Sequence, residues 1–358
     1  MFSAERTCER LLAHLVSHPH LGTEDIFKFL HQSALGCEHL VASAEAAAEY
    51  IRREAECALA DAPAAIERLD GDFCRVPLSF LREGLSPDTL ARLFFLSASM
   101  AGEGEEALAE RLSVARTMVA EGILPIGLAE FDEKLSAWRS RGYPAVHHSD
   151  AFRSAYRPAY RVIANELARL LPLLARIDTA LAKGRVILAI EGGSASGKTT
   201  LAAQLREIYD CTVLHMDDFF LRPEQRTPER FAEIGGNVDR ERFLAEVLLP
   251  LFRGEDFLYR RFDCATQSLL RGVPVTPSRL TVVEGAYSMH PELAAYYTLS
   301  VFLENSPEEQ RARILRRNTP EHAVRFFNEW IPLEHRYFEG MRVRERCTLV
   351  MASDGGLI

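Results

Sequence analysis

The chain has 358 residues, 47% of them hydrophobic and 26% charged, with a formal net charge of −9. That length supports two domains with proper cores. The acidic balance argues against a nucleic-acid partner, and no apolar run approaches the length of a membrane span.

The opening segment, MFSAERTCERLLAHLV, is charged throughout and lacks a signal-peptide profile, so a cytoplasmic location is the default. The seven cysteines (8, 37, 57, 74, 211, 264 and 347) are scattered and form no CxxC, which suits reduced thiols. A homo-oligomer is compatible with all of this.

Residues 1–183 read as mostly helix. Leu11, Leu12, Leu15 and Val16 recur at helical spacing, and Thr23-Glu24-Asp25 opens a second helix that breaks near Gly36. SPDTLARLFFLSASM begins with a Ser-Pro-Asp cap, and a strand near FCRVPLSFL carries little weight. PAYRVIANELARLLPLLARIDTALAKG reads as one helix closed by Gly184. His14, His18 and His20 lie close together ahead of Glu24 and Asp25. A polar helix end explains them better than a metal site. Nothing here points beyond a helical accessory domain of unknown role.

The pattern changes at Arg185. RVILAIEG, CTVLHMDD, RLTVVEG, YTLSVFLE and CTLVMAS read as buried strands, with amphipathic helical stretches between them. Such alternation predicts an α/β domain over residues 184–358, with a parallel sheet covered on both faces.

One of only four lysines in the chain, Lys198, follows a glycine-rich turn between the first of these strands and the next helix. Gly192, Gly197, Lys198 and Thr199 fit G-x-x-x-x-G-K-[ST]. Small residues at Gly193, Ser194, Ala195 and Ser196 let backbone N–H groups point inward as an anion nest. The helix start at Thr199 and Thr200 adds its dipole. Lys198 supplies a point charge for β- and γ-phosphates, and the Thr199 hydroxyl is a ligand for Mg²⁺. In a parallel sheet, ligands sit at the carboxyl ends of strands. Asp217 and Asp218 end one predicted strand and Glu284 ends another. Two carboxylates there suit metal binding and acceptance of a hydroxyl proton.

GGSASGKTT, HMDDFF, VVEGAYS and RILRRN occur in the order seen in the uridine kinase-like family of P-loop kinases, which resembles this chain over residues 184–358 alone. The resemblance implies a sheet of order 2-3-1-4-5, use of ATP and Mg²⁺, and transfer of a phosphoryl group to a hydroxyl of a nucleoside-like small molecule. It implies Asp217 as general base, with Glu284 supporting the metal together with Thr199 and Asp217. Arg313, Arg316 and Arg317 match an arginine-bearing lid. Asp239, in GGNVDRERF, takes the place of a ribose-holding acid, and Tyr259 and Arg261, in LYRRFDCATQS, frame the base, with Asp218 nearby on the substrate side. The histidines that uridine kinases carry in those two segments are absent, which puts pyrimidine recognition in doubt. The alternative is a nucleotide-dependent switch whose helical half engages a partner. It lacks support from an N-K-x-D base-reading motif.

Overall fold

Helix starts follow the capping chemistry of the sequence. Ser3, Ser86, Ser149 and Ser306 each stand before a helix and accept a hydrogen bond from the backbone N–H three residues on. The computed structural model describes residues 3–37, 43–57 and 65–353, and the chain divides into two compact units, residues 1–175 and 176–358.

The first unit contains α1 (Ala4–Ser17), α2 (Thr23–Leu35), α3 (Ala44–Cys57), β1 (Glu67–Arg68), β2 (Phe73–Pro77), α4 (Pro87–Ala98), α5 (Glu105–Ala120), α6 (Leu128–Arg139), α7 (Asp150–Tyr156), β3 (Tyr160–Ala164) and the short α8 (Asn165–Ala168). Its helices surround a three-stranded sheet of order β1-β2-β3, antiparallel throughout. The sheet corrects the expectation of a single helix running from the PAYRVIA segment. Tyr160, Val162 and Ile163 are strand formers, and β3 pairs with the FCRVP segment as β2. Glu67 and Arg75 face each other across β1 and β2 and form an ion pair at 2.9 Å. Arg111, fully buried on α5, pairs with Asp70 at 3.1 Å and with Glu103 at 2.9 Å.

The division between units falls inside α9 (Leu171–Leu181), ahead of the Lys183–Gly184 junction where the sequence pattern changes. The second unit continues with β4 (Val186–Gly192), α10 (Lys198–Tyr209), β5 (Thr212–His215), α11 (Pro228–Ala232), α12 (Arg240–Phe243), α13 (Leu249–Arg253), β6 (Phe257–Tyr259), β7 (Phe262–Asp263), β8 (Ser268–Leu269), β9 (Val273–Val275), β10 (Leu280–Glu284), β11 (Leu299–Glu304), α14 (Pro307–Arg317), α15 (Pro320–Arg325), α16 (Ile331–Gly340), α17 (Val343–Arg346) and β12 (Leu349–Ala352).

Five of these strands form a parallel sheet of order β12-β11-β4-β10-β5. Numbered by their sequence within the sheet, this reads 2-3-1-4-5 from the β5 edge. All seven residues of β4 are buried, as a central strand covered on both faces requires. Burying each Val, Leu or Ile there contributes about 1.5–3 kcal/mol. Two helices pass through a π turn, Leu244–Leu248 and Phe326–Trp330, each followed by a proline, Pro250 and Pro332. Proline lacks the N–H that would continue the regular ladder.

Candidate active site

The site lies where β4, β5 and β10 end. Strand β4 runs into the loop at Gly192, whose backbone takes φ +146°. A Cβ at that position would meet the Leu303 carbonyl oxygen at 2.5 Å, so only glycine fits. Ala195 and Gly197 also adopt positive φ, at +61° and +97°, and α10 then starts at Lys198. The loop therefore has the shape of an anion nest at a helix N-terminus.

Ser194 of that loop already holds a carboxylate. Glu334, from α16, accepts hydrogen bonds from the Ser194 backbone N–H at 2.8 Å and from its hydroxyl at 2.7 Å. Burial raises the Glu334 carboxyl above its ordinary range, against opposing effects of Lys198 and Ser194. Lys198 donates from Nζ to the Gly192 and Gly193 carbonyls at 2.9 and 2.8 Å. Gln310 donates to the Ser194 carbonyl at 2.9 Å, and Arg313 to that of Ala195 at 3.3 Å. The Ser196 hydroxyl is buried without a hydrogen-bond partner among the described residues. Thr200 is exposed in the first turn of α10.

Opposite the loop, the acids gather. Glu284 accepts from the Thr199 hydroxyl at 3.2 Å and from His215 Nδ1 at 2.6 Å. Its hydrogen bond is the first reason that the His215 pKa lies above its ordinary value. Asp217 follows two residues later, in a short 3₁₀ turn (Met216–Phe219). Desolvation by its surroundings raises the Asp217 carboxyl, with Glu284 and Asp218 adding like charge and Lys198 and His215 opposing. A hydroxyl and two crowded carboxylates are hard oxygen donors, the donor set that Mg²⁺ takes. The predicted metal residues Thr199, Asp217 and Glu284 are thus brought together.

The expected substrate residues are arranged differently. Asp218 accepts from the Tyr259 hydroxyl at 3.1 Å and pairs with Arg261 at 3.4 Å. The Tyr259 ring, however, is 2% exposed and stacks on Phe219, 5.8 Å between centroids. The expectation of a ring open to a base is not met, because the apolar neighbours of β6 draw the ring into the core and leave its hydroxyl facing Asp218. Asp239 is also 2% exposed: it caps α12 and pairs with Arg242 at 3.3 Å and Arg222 at 3.7 Å. The structure engages this acid in holding the loop rather than leaving it open for ribose hydroxyls. Arg316 and Arg317 are exposed at the end of α14, with Arg317 over the Phe326 ring. Of the three predicted lid arginines, Arg313 alone hydrogen-bonds to the loop among the described residues.

Several residues of the site went unpredicted. Glu191, fully buried at the end of β4, accepts from the backbone N–H groups of Gly192, Tyr287 and Met289 and from the Tyr337 hydroxyl. Burial pushes its pKa up to about 7. The signal for Glu191 was an acid within a continuous apolar run. The signal for His215 was its place beside HMDD. Glu334 gave none, being 140 residues from its partner in the loop.

No family model matches the chain. A curated relative is the bifunctional alpha-galactosidase/sucrose kinase AgaSK of Mediterraneibacter gnavus, 30% identical over 199 residues. The match covers 49% of this chain and 21% of that protein, so the chain spans well under two thirds of the relative's length. Among solved structures, the chain is similar to a Bacillus stearothermophilus protein described as a possible uridine kinase. The identity is 24% and the TM-score 0.37, over 50% of this chain and 98% of that one. It is also similar to a Silicibacter sp. TM1040 protein provisionally described as a fructose transport system kinase. There the identity is 25% and the TM-score 0.38, over 44% and 85% of the two chains.

Proposed function

We propose that residues 176–358 form a phosphotransferase that moves the γ-phosphoryl group of ATP to a hydroxyl of a small polyhydroxylated molecule. One observation carries the reading. A glycine loop whose Ser194 already binds a carboxylate, beside Lys198, lies with the Thr199, Asp217 and Glu284 oxygens at the ends of a parallel sheet.

In this reading the triphosphate replaces Glu334 in the nest, and Lys198 turns from the loop carbonyls to the phosphates. Thr199, Asp217 and Glu284 would hold Mg²⁺, which supplies charge neutralisation on the phosphate oxygens. Asp217 accepts the proton of the attacking hydroxyl. A carboxylate raised above its ordinary range is a better base near neutral pH than an ordinary aspartate. His215 fixes the Glu284 carboxylate in place. Arg313 contributes cationic charge beside the loop.

Asp218, with Tyr259 and Arg261 fixing its carboxylate, is the residue best placed to accept acceptor hydroxyls. The buried Tyr259 ring leaves nucleoside recognition without its stacking surface and favours an acceptor read by its hydroxyls. Nucleosides remain one class to test. Carbohydrates are the other, consistent with the sucrose kinase named in the curated relative. The test is ADP release by the full chain with MgATP across nucleosides, simple sugars and sucrose. The reading expects one acceptor to raise the rate well above the acceptor-free level, and Asp217→Asn to abolish the rise. Slow hydrolysis that no acceptor alters, with wild type and Asp217→Asn alike, would contradict it.

A further inference from the structure

The first unit contains a cavity of about 630 Å³, within the range of small-molecule sites. Its walls come from α1, β1 and β2 and from the chain between α7 and β3. Three nitrogen atoms in these walls are buried and have no hydrogen-bond partner among the described residues: Arg10 Nε, His14 Nε2 and Arg75 Nη2. Unpaired buried polar atoms are few in a native protein, and three around one cavity call for an explanation.

Each atom has a definite role. Arg75 is 2% exposed. Its Nε donates to Gln32 at 2.8 Å and its Nη1 to Glu67 at 2.9 Å. The guanidinium lies over the Phe29 and Tyr160 rings, 5.3 and 4.7 Å from their centroids. It cannot swing to another partner, so Nη2 remains a fixed cationic donor. His14 is 1% exposed, and its Nδ1 hydrogen-bonds to Glu67. Burial lowers the His14 pKa, against the Glu67 carboxylate, and so favours the neutral ring. With its proton on Nδ1, Nε2 carries a lone pair and accepts. Arg10 is half-buried and offers a second cationic donor. Phe152, Tyr156 and Tyr160 give the cavity apolar surface for a carbon skeleton.

We propose that this cavity binds a hydroxylated organic anion, with Arg10 and Arg75 taking its oxyanion and His14 accepting from a neighbouring hydroxyl. Sugar carboxylates and sugar phosphates share that chemistry. A metal is the competing occupant, since His14, His18 and Glu67 offer ligand atoms within 4.8 Å of one another. Arg75 already sets a fixed cation on Glu67, which disfavours a second one, and a metal leaves both arginine nitrogens unexplained.

The test is titration calorimetry of the full chain with gluconate, a hexose 6-phosphate, the free hexose, inorganic phosphate and zinc. The proposal expects gluconate or the hexose phosphate to bind at least about tenfold more tightly than the free hexose or phosphate. Which of the two binds identifies the source of the oxyanion. Arg10→Met should weaken that binding about tenfold. Lys198→Ala should leave it unchanged, which separates the cavity from the phosphate loop. If Arg10→Met does not fold, Arg10→Lys, which keeps the charge and withdraws Nε, carries the same expectation. No heat with either anion at millimolar concentration would overturn the proposal. So would binding that Arg10 variants leave intact, loss in Lys198→Ala, or stoichiometric zinc that excludes the anions.

Discussion

Buried acids behave in opposite ways in the first unit and around the phosphate loop of the second. In the first, burial would raise the carboxyl groups, yet hydrogen bonds and cations overturn it and all three main acids fall below their ordinary range. Asp25 comes down to about 2 through bonds from His148, Gly22 and Ser149, Glu67 is lowered by Arg75 and His14, and Asp70 by Thr7, Arg6 and Arg111. Around the phosphate loop of the second, burial wins: Glu191, Asp217 and Glu334 are all raised, with Lys198 opposing in each case. Satisfied acids stabilise a fold, whereas Asp217, crowded by Glu284 and Asp218 where β5 ends, marks a place that awaits a cation and a proton. The contrast separates scaffold from site without reference to any relative.

The largest effects should fall on chemistry in the second unit. Lys198→Ala should lower the phosphoryl-transfer rate about 10³-fold or more. Asp217→Asn should cost about 10²–10⁴-fold. It should also remove the rise of kcat/KM with pH, because the base must be ionised and its pKa is raised. An Asp217→Asn enzyme that kept the wild-type pH profile would break the comparison on the site side.

Arg111→Met tests the scaffold side. It removes the cation between Glu103 and Asp70, which keeps Arg6 and Thr7, and about 3 kcal/mol should be lost from the first unit in urea unfolding. Turnover per folded molecule should hold. A variant as stable as wild type would mean that these ion pairs do not maintain the first unit.

Glu191 gives a pH signature of opposite sign to the paired acids. Its pKa is about 7 in the fold against an ordinary 4.5, so the unfolded chain releases the proton first as pH rises. Stability of the second unit should therefore fall between pH 4.5 and 7, by about 3 kcal/mol at most. Glu191→Gln should flatten that slope in urea midpoints measured across the range. The smallest effect is expected at Glu334. Glu334→Gln removes the anion that competes for the loop and should tighten MgATP binding about tenfold by calorimetry. Weaker binding would instead make Glu334 part of the nucleotide site.

What the sequence revealed was what lies close together along it. The loop from Gly192 to Thr199 is one contiguous motif, and the strands ending in Asp217 and Glu284 are apolar runs whose direction fixes which end carries the acid. The order of the sheet was implied by the resemblance and not by the residues. Contacts made by distant segments were hidden: Glu334 reaches Ser194 from α16, and Tyr259 turns inward because Phe219 waits for it. The strand β3 looks helical in the sequence because its partner β2 lies some ninety residues earlier, and pairing rather than propensity decides its state. The cavity lined by Arg10, His14 and Arg75 draws on α1, β2 and the β3 region, which no spacing rule joins.

The measurement that bears most directly on the central claim is the fate of label from [γ-³²P]ATP incubated with the full chain and the acceptor panel. The account predicts label in one hydroxylated acceptor for wild type, at a rate at least about 10²-fold lower for Asp217→Asn. Label appearing only as inorganic phosphate, at a rate no acceptor changes, would contradict it and make the second unit a nucleotide switch.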